Sequence, residues 1–194
     1  MQSLGALMQF SIKKIIVLVL LAVGCGAGYF FWQSQSQSND TLKIIDTDFG
    51  RDADAIDALF HKGDNFYWMV AGNPDYSVKF MLEHATTSQH EKRHDLILRS
   101  AMIDGKLVGF AAYYKMSQHV WRLLYLIVDQ DFRKQGIAKK LLSSTVQEMV
   151  KRGALKVILF TRSNNFKAQA MYKNFGFKII DTDEIGVWMS WHKP

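Results

Sequence analysis

One cysteine, Cys25, and two prolines, Pro74 and Pro194, are all the chain has of either residue. A single thiol excludes an intrachain disulfide framework and any cysteine-rich zinc module. So few prolines exclude a proline-rich linker or ligand. The first forty residues carry no carboxylate until Asp40. No GxxxxGK[ST] stretch occurs, and no GxGxxG follows the first predicted strand, so neither a P-loop nor a dinucleotide fold is supported. No internal repeat is visible. What is present suits one folded domain with a short appendage: 194 residues, 48% hydrophobic and 22% charged, far from disordered or collagen-like compositions. Thirteen phenylalanines and five tryptophans can fill a core. The net charge of +6 suits nucleic acid, a phosphorylated small molecule or a membrane surface, and does not choose among them.

The amino-terminal forty residues read as a separate object. Residues 1–14 are short and basic, with Lys13 and Lys14. Residues 15–32, IIVLVLLAVGCGAGYFFW, carry no charge and end in Tyr29, Phe30, Phe31 and Trp32. A helix of that length reaches about 27 Å, near the hydrocarbon thickness of a bilayer, and aromatic residues suit the interface. Residues 33–40, QSQSQSND, form a polar tether. Three readings stand: a retained transmembrane anchor, a signal segment cleaved or lipidated at Cys25 with Met8 as its start, and a core helix buried on every face. The anchor is the leading one. The lysines then lie in the cytoplasm and the remainder of the chain outside.

Residues 41–194 alternate strands and helices. Residues 42–45 form a short apolar run, and Ala53, Ile56, Leu59 and Phe60 recur at helical spacing. Asn73-Pro74-Asp75 reads as a turn opening a second helix that runs to Glu83. Residues 84–94 are polar and histidine-rich. His84, His90 and His94 lie at spacings no compact zinc motif requires, so this stretch is a solvated loop. Residues 95–103 and 106–114 predict a hairpin about Asp104-Gly105. Val120–Val128, nearly all apolar, is a central strand. Residues 136–150 are the clearest helix, with Ile137, Leu141, Leu142, Val146, Met149 and Val150 on one face and Gly153 ending it. A buried strand over 157–161, a helix over 166–174 closed by Gly176, and strands over 177–180 and 185–191 complete a mixed α/β class.

Residues 126–142, LIVDQDFRKQGIAKKLL, carry the chemistry. A strand, a loop over 129–132 and a helix start make an anion site, because first-turn amides lack partners and the helix dipole is positive there. Gly136 and Ala138 let a phosphate approach the backbone, and Arg133, Lys134, Lys139 and Lys140 add positive charge. The alternative is that Gly136 merely lets a helix start beside a strand.

The pattern Arg133-x-x-Gly136-x-Ala138 after a hydrophobic strand resembles the GNAT superfamily of acyl-CoA N-acyltransferases. So do LKVILFTR (residues 155–162) followed by Asn165-x-x-Ala168-x-x-x-Tyr172 and Gly176-Phe177, and the hairpin DGKLVG (residues 104–109). The resemblance runs from about Leu42 to the C-terminus. It implies a mixed, mostly antiparallel seven-stranded sheet flanked by about four helices. It implies that the backbone of Ile127 and Val128 pairs with the pantetheine arm of acetyl-CoA where the central strand splays from its neighbour. Amides from Arg133, Lys134, Gln135, Gly136, Ile137 and Ala138 would cradle the pyrophosphate, Asn165 would bond the cofactor arm, and Tyr172 would protonate the leaving thiolate. An amine acceptor, a small molecule or a peptide or protein amine, would attack the thioester directly in a ternary complex. Tyr172 is otherwise an ordinary packed tyrosine.

No carboxylate stands on the strand over 157–161, where some members of the superfamily place a glutamate. His119, Tyr125, Asp129 or a water relay remain as the base, and the amide near Val128 as the oxyanion donor. Phe66, Tyr67 and Trp68, between the first two predicted helices, are either acceptor wall or core. No metal and no nucleic-acid partner is expected, since no basic strip interleaved with aromatics appears. The alternative function is a noncatalytic CoA-fold binding or regulatory module tethered to the membrane. Acetyl-CoA is cytosolic, whereas the lysine rule points the domain outward, and the sequence leaves that conflict open.

Overall fold

The computed structural model describes residues 42–84 and 96–194. The segment over 15–32 read as an anchor or signal helix, its basic flank, the tether and the greater part of the histidine loop lie outside the described residues. Among the described residues no helix is long and apolar enough to cross a membrane.

Among the described residues thirteen elements follow one another: β1 (Leu42–Asp46), α1 (Phe49–His61), α2 (Asn65–Val70), α3 (Val78–His84), β2 (Ile97–Ile103), β3 (Lys106–Lys115), β4 (Val120–Val128), a 3-10 turn (Gln130–Phe132), α4 (Ile137–Lys151), β5 (Lys156–Arg162), α5 (Phe166–Phe175), β6 (Lys178–Thr182) and β7 (Gly186–His192). The strands form one seven-stranded sheet in the order β1-β2-β3-β4-β5-β7-β6. Each neighbouring pair is antiparallel except β4 with β5, which the α4 crossover makes parallel.

The seven strands agree with the expectation, but five α-helices are described where about four were expected. The added element is α2. Phe66, Tyr67 and Trp68 lie inside this short helix and not in a connector. Six residues make under two turns, and NFYWMV is too uniformly apolar to show a helical period.

Each face of the sheet has its own core. On one, α4 buries Ile137, Leu141, Leu142, Thr145, Val146 and Met149 against Ala101, Val108, Ala111, Tyr113, Trp121, Leu123 and Val157. Fully burying each of the leucines contributes about 1.5–3 kcal/mol. The helix stops where Gly153 takes φ +96°, with the Ala154 amide bonded back to the Met149 carbonyl at 2.9 Å, a left-handed cap. On the other face α1, α2 and α3 pack Ile56, Leu59, Phe60, Val70 and Met81 onto Leu98, Met102, Leu107, Phe110, Ala112 and Ile127.

A β-bulge in β4 positions the site. The register with β3 shifts between Ala112↔Tyr125 and Tyr113↔Leu123, so Leu124 is the extra residue. Trp121 and Leu123 face α4, whereas Leu124 and Tyr125 both face α1. A bulge bends its strand and increases its twist. The parallel ladder with β5 ends at this point, at Leu123↔Leu159.

Candidate active site

Beyond Leu123, β4 continues to Val128 along β3, while β5 continues to Arg162 along β7. The two strands part into a wedge. Which backbone groups line it follows from the ladder. The Asp129 amide donates to the Val108 carbonyl at 2.8 Å, and a Cβ on Gly109 would lie 2.6 Å from the Ile127 carbonyl oxygen. Asp129 and Ile127 therefore direct their polar groups at β3. In an antiparallel strand these directions alternate, so Leu126 and Val128 direct theirs into the wedge. Of the expected pair, Val128 faces the opening and Ile127 does not. Its side chain is buried in the α1 core instead, and Leu126 takes its place. The bulge, invisible in the sequence, sets this parity.

At the wide end of the wedge sits the start of α4. Gly136 is its N-cap, with φ +78° and no side chain capping the helix. Lys134 also takes a left-handed φ of 65°. A Cβ at Gly136 would meet nothing within 4 Å. The first amides of α4, from Ile137 and Ala138 onward, thus have neither an intrahelical partner nor a capping side chain, and the space before them is open. That is a fit for a phosphate group. Lys134, Gln135 and Lys139 are exposed around it.

The Arg133 side chain has a different place from the one expected. Its guanidinium does not stand open toward the cradle. Nη2 lies 2.7 Å from Asp64 Oδ1 and 2.8 Å from Asn65 Oδ1, Nη1 lies 2.9 Å from Asp64 Oδ2, and Nε donates to the Val128 carbonyl at 3.1 Å. The Arg133 guanidinium in turn holds the Asp64 carboxyl below its ordinary range.

On the β5 side, Asn165 caps α5: its Oδ1 accepts from the Ala168 amide at 3.2 Å. That leaves the Asn165 side-chain NH2 as a donor. Tyr172 is buried on α5, its ring 5.7 Å from that of Phe177. Gly176, at φ +110°, ends the helix, and the Phe177 amide bonds the Tyr172 carbonyl at 3.0 Å. The Gly176-Phe177 pair is thus the device that orients Tyr172. Burial pushes the Tyr172 hydroxyl well above the usual phenol range, so it holds its proton at neutral pH.

The candidate bases separate. His119 precedes β4 at the end opposite the wedge mouth and bonds the Gly153 carbonyl. The Tyr125 hydroxyl pairs with that of Tyr76 on the α1 face. Asp129 is buried and holds Lys62 Nζ at 2.6 Å. Burial works to raise its pKa, but the Lys62 ammonium, the Asp131 amide and the nearby Lys106 charge outweigh that and lower it. An ion-paired carboxylate at the turn is a poor proton acceptor. Among the described residues no group of three metal-ligating side chains occurs.

Sequence reasoning missed the α1–α2 turn. Lys62, Asp64 and Asn65 reach the residues that follow β4, across 67 or more positions of sequence. KGDN reads as a helix stop and restart, which locates a turn but not its partner.

Residues 55–177 match the model of the acetyltransferase (GNAT) family, and the chain belongs to that family. It is 37% identical over 67 residues to human N-acetyltransferase 8, covering 34% of this chain and 30% of that one. It is 32% identical over 74 residues to the [ribosomal protein bS18]-alanine N-acetyltransferase of Escherichia coli strain K12, covering 38% and 49%. The alignment thus spans less than half the length of either relative. The PaiA N-acetyltransferase of Thermoplasma acidophilum, solved with coenzyme A, superposes with a TM-score of 0.62 at 22% identity, covering 78% of this chain and 99% of that one.

Proposed function

We propose that the chain transfers an acetyl group from acetyl-CoA to an amine, in one ternary complex. The observation that carries this is the wedge: β4 and β5 part at Leu123, and the uncapped start of α4 stands at the mouth. A strand edge feeding an anion site suits a ligand with an amide-bearing arm and a pyrophosphate, which is the build of acetyl-CoA. In this reading Leu126 and Val128 bond the arm, and amides from Lys134 to Ala138 hold the pyrophosphate. The Asn165 NH2 bonds the arm from the β5 side. The relatives named N-acetyltransferases support the same donor and acceptor class.

The chemistry follows from the thioester. The amine nitrogen attacks the carbonyl carbon, and the carbonyl oxygen gains negative charge that the Val128 amide stabilises. The carbon–sulfur bond then breaks as the Tyr172 hydroxyl donates a hydrogen bond to the leaving sulfur, and the thiolate takes up through water the proton that the ammonium sheds. The ammonium proton leaves to water, because Asp129, the carboxylate that follows β4, is held by Lys62. The acceptor is a primary amine, of a small molecule or of a peptide or protein. Residues 15–32, an uncharged run of bilayer-spanning length, are read as a tether of the enzyme to a membrane.

Calorimetric titration of acetyl-CoA into the full chain, beside Gly136→Glu, tests the reading. Saturable binding is expected in the wild type, and at least about a hundredfold weaker binding in the variant, which adds a carboxylate beside the anion site and strains the left-handed Gly136 backbone. A folded wild type that does not bind refutes it.

A further inference from the structure

Three contacts join the α1–α2 turn to the segment after β4. Lys62 Nζ lies 2.6 Å from Asp129 Oδ1 and 2.5 Å from Asp131 Oδ2. Gly63 has φ +58°, and the Gln130 side chain lies so close that a Cβ there would be 2.1 Å from its Oε1. Asp64 and the buried Asn65 hold the Arg133 guanidinium. A fourth contact joins the same element to the other strand: Arg162, the last residue of β5, lies over the Tyr67 ring at 5.0 Å. Helix α2 is therefore fastened to the ends of both strands that bound the wedge. The Asn65 side chain also bonds the Leu59 carbonyl at 2.9 Å, which ties the strap into α1. Most telling is Arg133 Nε, which donates to the Val128 carbonyl. One guanidinium thus grips both α2 and a backbone group that faces the wedge.

We propose that residues 62–70 are a strap across the wedge, and that Lys62 and Arg133 are positioning residues that couple occupancy of the donor slot to the placement of Tyr67 and Trp68. The proposal rests on the N-acetyltransferase reading. Its physical content is that a ligand ordering Val128 and the amides after Lys134 also orders Arg133, and through it the start of α2. Tyr67, half exposed beside Arg162 and edge-on to Trp68 at 5.0 Å, then presents the acceptor with a wall that forms fully only after the donor binds. Arg133 in this assignment serves the reaction through α2 and Val128, with its guanidinium committed to them and not to a phosphate.

Amide hydrogen exchange of the full chain, with and without acetyl-CoA, tests the strap. In the wild type, acetyl-CoA is expected to slow exchange of the amides over 65–70 by about tenfold. In Asp64→Ala and in Lys62→Met that response is expected to fall below about twofold, while acetyl-CoA affinity changes by less than about threefold. A merely structural role would speed exchange equally with and without acetyl-CoA, leaving the difference intact, and would overturn the coupling. Asp64→Ala also frees Arg133. If Arg133 is instead a phosphate ligand, acetyl-CoA binds several-fold tighter in that variant, which overturns the assignment. Asp64 is half exposed, so its variant carries the test should Lys62→Met fail to fold. Binding by the wild type without a response over 65–70 refutes the strap alone. No binding refutes the donor reading, and the strap with it.

Discussion

Tyr172 shows how neighbours make a side chain useful. A phenol near its ordinary pKa would already be mostly protonated at neutral pH. Burial on α5 carries it further, so the hydroxyl stays a proton donor and stabilises a leaving thiolate, the weaker base of the two, through the hydrogen bond it donates. Removing only the oxygen keeps the ring contact with Phe177. Tyr172→Phe is therefore expected to lower kcat by about 100- to 1,000-fold, while acetyl-CoA affinity stays within about twofold because the ground state is little affected. Steady-state kinetics beside calorimetry separate the two. Unchanged turnover would assign Tyr172 to packing alone.

At the scale of elements, the approach of β3 to β4 decides the shape of the slot. Gly109 pairs with Val128, and its missing side chain leaves room for the Ile127 carbonyl. A Cβ there would fall 2.6 Å from that oxygen, backbone that has no flexible end to swing away. Gly109→Ala is expected to destabilise the fold by about 1–3 kcal/mol, the usual cost of overpacking. It should also weaken acetyl-CoA binding, because relief of the clash moves the strand that carries Val128. A urea midpoint and a binding constant measured together check both halves. Unchanged stability would mean that the β3–β4 contact is looser than the structure shows.

At the scale of the whole molecule, buried and half-buried carboxylates join distant segments. Asp129 links the end of β4 to α1, Asp64 links α2 to Arg133, and Asp52 in the first turn of α1 bonds Ser100 on β2 at 2.9 Å. All three titrate below the ordinary aspartate value of 3.8. A carboxylate with a depressed folded pKa stabilises fully above its unfolded pKa and loses that contribution as the pH falls through the folded one. Tyr172 has the opposite sign: its raised pKa gives stability that is present below pH 10.0 and lost as the pH climbs above it. Urea midpoints between pH 2 and 11 should therefore be level from about 5 to 9 and fall on both sides. In Lys62→Met the plateau should drop and the acid limb should become shallower, since the buried Asp129 loses the cation that depresses its pKa and has less stability to lose on protonation. An unchanged plateau and limb would mean that Lys62 contributes little to holding Asp129 ionised.

The sequence alone determined much of the class and the parts of the site close together along the chain. Period-2 runs, Asp104-Gly105, Gly153 and Gly176 mark strands, a hairpin and helix ends, because those signals are local in their physics. Arg133-x-x-Gly136-x-Ala138 marks the helix start for the same reason: one glycine with positive φ and unpartnered amides occupy a handful of residues. Only the tertiary structure decided the rest. The bulge at Leu124 has no composition of its own, yet it selects Leu126 and Val128, and not Ile127, to face the wedge. The six residues of α2, five of them apolar, are helical because they lie against α1 and the strand ends. Arg133 reads as one more cation beside a phosphate site until the fold brings Asp64 and Asn65 to it from 68 and more positions away. A side chain's partner is set by distance in space, and a linear pattern records only distance along the chain.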